Sequence, residues 1–487
     1  MTSHGSSVIG IGVDFGTSNS VAAHYDGTRV RIVDLGCGSR SMPSATYLDK
    51  NFLAVTGHEA IDTYITSNMG RRVELVSVLL GEGRTSTGSL DDAGNPREAA
   101  TRQFFSAAMI DANQQGRLFY GMKKLLAGTG NISLPVFHKQ YRLEALITPI
   151  LLRIREAITA EFVRLGTDRV VDHAVVGRPV HFECKGEGSN DLALQRLGAA
   201  FGNAGFVDRH FCEEPVAAAI SYLHSEPAQE RDTLLVVDFG GGTLDFCIFR
   251  KGLNGLELLG TYGVALGGNH VDQLLFRHLL FPLLGDGAAG KFFTNEGYRE
   301  NRFSLARYAE LLLNWPVSYL LNQNHYLTPV LDMIRQGGET AKYFQRLHDV
   351  IRFNSSYLIL EQLKDFKEAF ATAGQVTLDL PDLDISLSID REEFDLVTQP
   401  VAVKFEQALC EALHQAGVAT EKIDRVVCVG GSTRLPSIQT LLAKLFGTRV
   451  VDHDIFTAVA AGLAIQDYLR RNGTSTPSYA AAADSAR

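Results

Sequence analysis

Two copies of one short motif carry the residues best suited to chemistry in this chain of 487 residues. Val13-Asp14-Phe15-Gly16-Thr17 recurs as Val237-Asp238-Phe239-Gly240-Gly241-Gly242-Thr243, and an apolar run precedes each copy. Glycines leave backbone N–H groups uncovered, so a glycine hairpin with neighbouring hydroxyls is suited to binding phosphate oxygens. The motifs therefore predict two phosphate-binding hairpins, and the candidate residues are Gly16, Thr17, Ser18, Gly240, Gly241, Gly242 and Thr243.

The aspartate at the base of each hairpin predicts a metal site. If Asp14 and Asp238 face one cleft, their repulsion at ~4 Å is ~4 kcal/mol at an effective dielectric of ~20. A divalent cation between them removes that cost, and Mg²⁺ favours a few carboxylates together with waters and phosphate oxygens. The alternative is that each aspartate only caps its own turn, which two matching copies disfavour.

Three further features suit the same chemistry, and each has a structural alternative. Glu214 stands at a predicted loop-to-helix junction, where it can orient a water or simply favour the helix dipole by ~0.3–1 kcal/mol. Lys123 can deliver a cation to a phosphate, or belong with Lys124 to a solvated lysine pair. Gly430-Gly431 follows a strand-like run and can make a third nucleotide contact or form a plain turn.

The same order of elements surrounds both motifs. Each copy lies between two strand-like runs, and a glycine turn leads to a third short strand. Apolar residues at intervals of four also predict a helix over residues 143–165. The repeat predicts two similar lobes facing one cleft. We expect lobe I at 1–228 with an inserted upper part around 48–140, lobe II at 229–452 with a helical insertion around 274–373, a C-terminal helix at 453–471 returning to lobe I, and a disordered tail at 472–487.

Composition and charge disfavour several classes of protein. A net charge of -9 argues against a general nucleic-acid or anionic-membrane partner. The sequence contains no run near the ~18–20 apolar residues of a membrane span. The six cysteines are scattered without a CxxC pair, which is typical of a reduced, cytoplasmic protein.

Three well-known nucleotide motifs fail in their context. Asp14-Phe15-Gly16 lacks the HRD loop and the preceding glycine-rich loop of protein kinases. Residues 285–291 have P-loop spacing, but Phe292 replaces the required Ser or Thr. The separation of Gly12 from Gly16 misses the dinucleotide-binding fingerprint.

Five ordered segments resemble one known family. They are IGVDFGTSNS at 11–20, EPVAAA at 214–219, VVDFGGGTLD at 236–245, LGGNHVD at 266–272 and VGGSTRLP at 429–436. In this order they resemble the actin-like ATPase superfamily, and most closely the DnaK-type chaperones of the heat shock protein 70 family, in the short YegD-like branch that lacks the substrate-binding domain. The resemblance extends to about residue 469.

That resemblance implies a two-lobed α/β protein, a duplicated ribonuclease-H-like fold around a nucleotide cleft, that hydrolyses ATP to ADP and phosphate. Asp14 and Asp238 would hold Mg²⁺ through water, and Lys123 matches the family's catalytic lysine. The implied catalytic set is Lys123, Glu214, Asp238 and Thr243. The residues implied around the nucleoside are Gly268, Lys367, Gly430, Gly431, Ser432 and Arg434.

Several positions depart from the family pattern. Glu368 stands where an arginine stacks on adenine, Lys364 where the family has a glutamate, and Asn269 and Phe456 replace acidic residues. The resemblance therefore does not predict the base selectivity of this chain, although Arg434 remains to stack on the base. The sequence also stops after the last predicted helix, so we expect neither the acidic-leucine linker nor the peptide-binding β-sandwich.

Three functions are compatible with these features. The first is a stand-alone ATPase of the heat-shock type, with ATP and Mg²⁺, acting as a nucleotide-dependent conformational switch for an unidentified protein partner. The second is a small-molecule kinase on the same scaffold, which needs a carboxylate base such as Asp245. The third is a non-catalytic nucleotide-binding scaffold or a filament former.

Overall fold

The fold is described from a computed structural model of the chain. The structure describes residues 8–36, 38–85, 100–130, 132–182, 189–226, 232–252, 255–294, 297–454 and 457–473. Phe456 lies outside these described residues. The tail expected at 472–487 lies outside them from residue 474 onward.

Strands predominate in the first half of the chain. In order they are β1 (Gly10–Phe15), β2 (Asn19–Tyr25), β3 (Val30–Ile32), β4 (Met42–Pro43), β5 (Ala45–Asp49), β6 (Ala54–Thr56), α1 (His58–Asn68), β7 (Leu75–Thr85), β8 (Ala100–Asp111), β9 (Gly116–Tyr120), β10 (Ser133–Val136), β11 (Lys139–Arg142), α2 (Leu143–Arg164), β12 (His173–Arg178), α3 (Asn190–Asn203), β13 (Asp208–Glu213) and α4 (Glu214–Ser225).

The second half repeats the opening hairpin and then becomes mainly helical. Its elements are β14 (Thr233–Phe239), β15 (Leu244–Gly252), β16 (Gly255–Val264), α5 (Gly268–Leu275), β17 (Ala289–Thr294), β18 (Gly297–Arg302), α6 (Ala306–Leu312), α7 (Asn324–Gln336), α8 (Ala341–Phe353), α9 (Ser356–Ala369), β19 (Gln375–Leu380), β20 (Ile385–Asp390), α10 (Arg391–Gln415), β21 (Arg425–Val429), α11 (Pro436–Phe446), β22 (Val450–Asp452) and α12 (Ala458–Arg471).

The two halves build sheets of the same topology. The first sheet has the order β13-β12-β1-β2-β3, with β4 also pairing with β2, and the second has the order β16-β15-β14-β21-β22. In each, the motif-bearing strand pairs antiparallel with the next strand and parallel with a later one. Asp14 lies opposite Val21, and Asp238 opposite Asp245. This duplication agrees with the predicted two-lobed α/β fold class.

Burial explains why the motif-bearing strands read as apolar runs. Ile11, Val13 and Phe15 of β1 are fully buried and share one core cluster with α2. A strand that is covered on both faces buries every side chain, so its sequence is almost continuously hydrophobic. The predicted helix over 143–165 is confirmed as α2, and its residues at intervals of four are all in this core: Leu146, Ile150, Ile154, Ile158 and Phe162.

The last helix packs closely on the first sheet. α12 contacts β1, β2 and β12. A Cβ at Gly12 would lie 2.3 Å from the carbonyl oxygen of Ala460, so only glycine permits this approach. The Ile11 N–H also donates to Asp467 Oδ2 at 2.9 Å. These contacts hold the strand that carries Asp14 from one side.

The chain divides into two compact units. The first comprises residues 1–64, 117–281 and 357–487 and contains both duplicated sheets. The second comprises residues 65–116 and 282–356, which fall within the two expected insertions. In the second unit, Phe303 and Phe344 stack edge to face with centroids 4.9 Å apart. The lobe boundaries proposed from the sequence remain predictions.

None of the helices in the part of the chain that the structure describes is long and apolar enough to cross a membrane.

Candidate functional site

The two glycine hairpins face each other within the first compact unit. Ser18 Oγ lies 3.8 Å from the position that a Cβ would take on Gly241. The two turns follow β1 and β14, and in both cases the hairpin leaves its sheet directly after the aspartate and phenylalanine of the motif. Gly16, Thr17 and Ser18 are all partly exposed. The sequence prediction that both hairpins share one site therefore has a geometric basis.

The second hairpin is hydrogen-bonded to two further motif segments, which contain Gly268 and Ser432. The Gly240 N–H donates to the carbonyl oxygen of Thr243 at 3.0 Å, which closes the turn. The Gly240 carbonyl oxygen accepts from the Gly268 N–H at 3.0 Å and from Ser432 Oγ at 2.9 Å. Two residues implied around the nucleoside thus lie directly at the phosphate hairpin.

Gly430 has to be glycine for two reasons. Its φ of 81° is left-handed, and a Cβ would lie 2.4 Å from the carbonyl oxygen of Phe239. The short 3-10 helix Gly431–Arg434 follows and ends at the exposed Arg434. Arg434 borders a cavity of about 480 Å³ whose other lining residues are Ser39, Arg40, Ser41, Asp452, Asp454 and Thr457.

A buried ion pair joins two candidate catalytic residues. Lys123 Nζ lies 2.6 Å from Glu214 Oε1. Lys123 is buried in the short 3-10 helix Met122–Leu125, whereas its neighbour Lys124 is exposed. Glu214 is the first residue of α4, and its acidic side chain therefore also lies in the first helical turn. The solvated-pair interpretation of the two lysines is wrong for Lys123.

Gly177 shows how closely the acidic residues approach. A Cβ on Gly177, in β12, would lie 3.2 Å from Glu214 Cγ and 3.5 Å from Asp14 Oδ1. The absence of a side chain at this position therefore lets the two carboxylates share one side of the site. Sequence reasoning missed Gly177, because no residue near it in sequence shows that Asp14 and Glu214 approach it.

Both hairpin aspartates hold their protons more tightly than usual. Burial, followed by the charge of Glu214, raises the pKa of Asp14 to about 7, against a smaller lowering by Lys123. Burial and then Glu214 and Asp245 raise the pKa of Asp238 to about 8. Asp238 also acts on Asp14. The electrostatic coupling places the two carboxylates in one environment, which argues against two independent turn caps.

The charges fit a divalent cation. When ionised, Asp14, Asp238 and Glu214 carry three negative charges, and Lys123 compensates one of them. Burial acts to lower the pKa of Lys123, but Glu214 and Asp14 raise it above its ordinary value, so the cation is retained. Among the residues that the structure describes, no three His, Cys, Asp or Glu side chains are grouped as direct metal ligands. A Mg²⁺ bound largely through water and phosphate oxygens suits such a donor set.

Lys367 is buried against a partner that sequence reasoning missed. Its Nζ donates to Asp272 Oδ1 at 2.6 Å and lies 3.4 Å from the Gly268 carbonyl oxygen. Burial raises the pKa of Asp272, and Lys367 opposes that shift. Asp272 is the last residue of the LGGNHVD segment, so its place in that motif could have indicated a functional residue. Glu368, one residue on, is exposed.

The duplicated sheets and paired hairpins define a two-lobed fold of the actin-like ATPase type. The family model described as "Hsp70 protein" matches residues 102–283 and 361–475, more than half of the chain. The chain belongs to the Hsp70 family.

Named relatives agree with this family over most of the chain. It is 26% identical to "Chaperone protein DnaK" of Prochlorococcus marinus (strain MIT 9515), an alignment covering 94% of this chain and 58% of that relative. Identity is 25% to "Chaperone protein dnaK3" of Thermosynechococcus vestitus, with 94% and 54% covered. It is 27% to "Chaperone protein dnaK1" of Prochlorococcus marinus (strain MIT 9313), with 94% and 56% covered. The chain thus spans little more than half the length of these curated relatives.

Proposed function

We propose that this protein binds ATP with Mg²⁺ between the two hairpins, hydrolyses it to ADP and phosphate, and uses the change of nucleotide as a conformational switch. The observation that carries the proposal is the meeting of Asp14, Asp238 and the Lys123–Glu214 pair beside two glycine turns. Membership of the Hsp70 family supports it.

Each residue has a role that follows from its position. The backbone N–H groups of the hairpins and the hydroxyls of Thr17, Ser18 and Thr243 would bind phosphate oxygens. Asp14 and Asp238 would hold Mg²⁺ through water, and the cation would neutralise charge on the phosphates. Lys123, aimed by Glu214, would stabilise the charge that develops on the transferred phosphoryl group. Loss of one such preorganised donor typically lowers the rate by ~10²–10³.

The covered position of one carboxylate favours hydrolysis over phosphoryl transfer to a small molecule. Asp245, the carboxylate considered as a base for a kinase, is buried, and its Oδ1 lies 2.5 Å from the position of a Cβ on Gly263 of β16. A base for a second substrate has to be reached by that substrate, whereas the Asp245 side chain is covered and lies opposite Asp238 in the β14–β15 ladder. A protein partner that responds to the bound nucleotide is also part of the proposal. A cytoplasmic location is part of it too, and the free thiols of Cys212, Cys247, Cys410 and Cys428 support that location.

Single-turnover release of phosphate from ATP, without any added acceptor, tests the proposal. We expect wild-type activity to depend on Mg²⁺ and to fall by about 100-fold or more in Lys123→Ala and in Thr243→Ala. Lys124→Ala is the matched control, because it removes an exposed lysine next to the buried one. Equal rates in wild type, Lys123→Ala and Thr243→Ala would refute the assigned roles. Phosphate release only after addition of a hydroxylated acceptor would favour the kinase alternative.

A further inference from the structure

Asn269 is placed beside the second phosphate hairpin by backbone hydrogen bonds. It is the second residue of α5, whose first residue, Gly268, donates its N–H to the Gly240 carbonyl oxygen at 3.0 Å. The Asn269 N–H donates to the next carbonyl oxygen of the hairpin, that of Gly241, at 2.9 Å. These bonds use only main-chain atoms, so they fix the position of the Asn269 backbone and do not involve its carboxamide.

The residue before α5 also lies directly on the hairpin. A Cβ on Gly267 would collide with the Gly241 carbonyl oxygen and would lie 2.5 Å from the backbone nitrogen of Gly242. Main chain therefore packs on main chain at this point. The separation between Asn269 and the hairpin is consequently set by the backbone and not by flexible side chains.

The Asn269 carboxamide lies beside the open space above Gly241. Its Oδ1 is 3.4 Å, and its Cγ 3.9 Å, from the position that a Cβ on Gly241 would take. Ser18 Oγ, from the first hairpin, lies 3.8 Å from the same position. Gly241 and Asn269 are both exposed, so a ligand can reach this space. One polar side chain from α5 and one from the first hairpin therefore flank it.

A carboxamide suits an anion at this position better than a carboxylate does. An amide carries two N–H donors and no charge, whereas an ionised carboxylate can only accept hydrogen bonds. Turning the carboxamide of Asn269 by 180° exchanges its oxygen and nitrogen, which brings Nδ2 to the place of Oδ1. Asn269 can thus donate a hydrogen bond into the space above Gly241 without adding negative charge there.

We propose that Asn269 is a specificity-determining residue whose carboxamide donates a hydrogen bond to the phosphate chain bound over the second hairpin. The inference rests on the proposed function, because its ligand is the nucleotide of that site. A nucleoside polyphosphate is the class of ligand that gains from this contact. A nucleoside without phosphates has no group to fill the space above Gly241 and gains nothing from Asn269.

Calorimetric titration with ATP and with adenosine tests the inference. We expect Asn269→Ala to weaken ATP binding by about 10-fold or more, the effect of one hydrogen bond to a charged group, and to leave adenosine binding unchanged. Asn269→Asp keeps the shape of the side chain but replaces the donor by a negative charge, so it should weaken ATP binding further. Raising the salt concentration from about 0.05 to about 0.5 M should recover part of that additional loss, relative to wild type, because salt screens exposed charges.

Two controls separate this contact from a structural effect. Asn51→Asp makes the same change of charge at another exposed asparagine, in the turn between β5 and β6, and should bind ATP as the wild type does. The melting temperature of the nucleotide-free protein should be the same in wild type and in both Asn269 variants. The main-chain bonds that join α5 to the hairpin are present in all of them.

Three results would overturn the inference. Wild-type ATP affinity in both Asn269 variants would show that the carboxamide is not used. Equal losses for ATP and adenosine, or a lower melting temperature of the nucleotide-free variants, would assign Asn269 a structural role. A loss in Asn269→Asp that is no larger than in Asn269→Ala and independent of salt would contradict a phosphate beside this side chain. Failure of the wild-type protein to bind ATP at all is a distinct outcome, which refutes the proposed function and removes the inference with it.

Discussion

Replacing Lys123 by methionine should destabilise the protein as well as inactivate it. The substitution removes the ammonium group but keeps an unbranched apolar side chain of similar length. Glu214 then loses its partner, and Asp14 and Asp238 lose the one cation that lowers their pKa values. The Glu214 carboxylate then remains buried beside Asp14 and Asp238 without the charge of Lys123.

The size of the effect follows from the burial of the pair. Its two side chains are 6% and 14% exposed, and their charged atoms are 2.6 Å apart. The direct attraction is ~6 kcal/mol at an effective dielectric of ~20, before the cost of desolvation. Breaking a buried pair by removing one partner typically costs ~3–5 kcal/mol. We expect Lys123→Met to lower the free energy of unfolding by about this amount.

Urea denaturation of four proteins measures the coupling. They are the wild type, Lys123→Met, Glu214→Gln and the double variant. The double variant should recover at least ~2 kcal/mol relative to Lys123→Met, because it removes the unpaired charge. The recovery will be incomplete, since Asp14 and Asp238 still lack Lys123. Lys124→Met, at the exposed neighbour, should change stability by no more than ~0.5 kcal/mol.

A loss below ~1 kcal/mol in Lys123→Met, matching that in Lys124→Met, would refute this reasoning. It would mean that Lys123 reaches water and contributes no more than a surface charge. Additive losses in the double variant would contradict the pairing with Glu214.

Two further predictions concern the metal and the glycines. Because the pKa values of Asp14 and Asp238 rise from 3.8 to about 7 and about 8 on folding, the metal-free protein is stabilised at low pH and loses that stability as pH rises through this window. The rise in melting temperature caused by Mg²⁺ should therefore be larger at about pH 8.5 than at about pH 6, and equal shifts would contradict a site formed by these carboxylates. Gly241→Ala should fold normally, since its Cβ meets nothing closer than 3.4 Å, yet weaken ATP binding because the methyl enters the space between the hairpins. Gly267→Ala is its structural counterpart, with a Cβ 2.2 Å from the Gly241 carbonyl oxygen, and circular dichroism should show thermal destabilisation there but not in Gly241→Ala.

Local patterns were enough to predict the elements around the hairpins. The apolar run before Asp14 and the one before Asp238 are buried strands of matching sheets, as the repeat predicted. Strand periodicity and glycine turns are properties of neighbouring residues, so they can be read without tertiary contacts. The helix over residues 143–165 was predictable for the same reason.

Contacts between distant residues could not be predicted in this way. Lys123 and Lys124 are equivalent in sequence, and only the turn after Gly121 buries one and exposes the other. Asp272 of α5 pairs with Lys367 of α9, although the two residues are 95 positions apart in the sequence. The hydrogen bond from the Ile11 N–H to Asp467 Oδ2 likewise joins residues 456 positions apart.

The amino-acid sequence by itself determined the duplicated strand–hairpin units, the acidic and glycine residues of the two turns, and the family, because these depend on residue type and short-range spacing. The tertiary structure alone decided which charges are paired, which are buried and which share a site. The reason is physical: an ion pair such as Lys123–Glu214 spans 91 residues, and its existence depends on how separate sheets and helices pack.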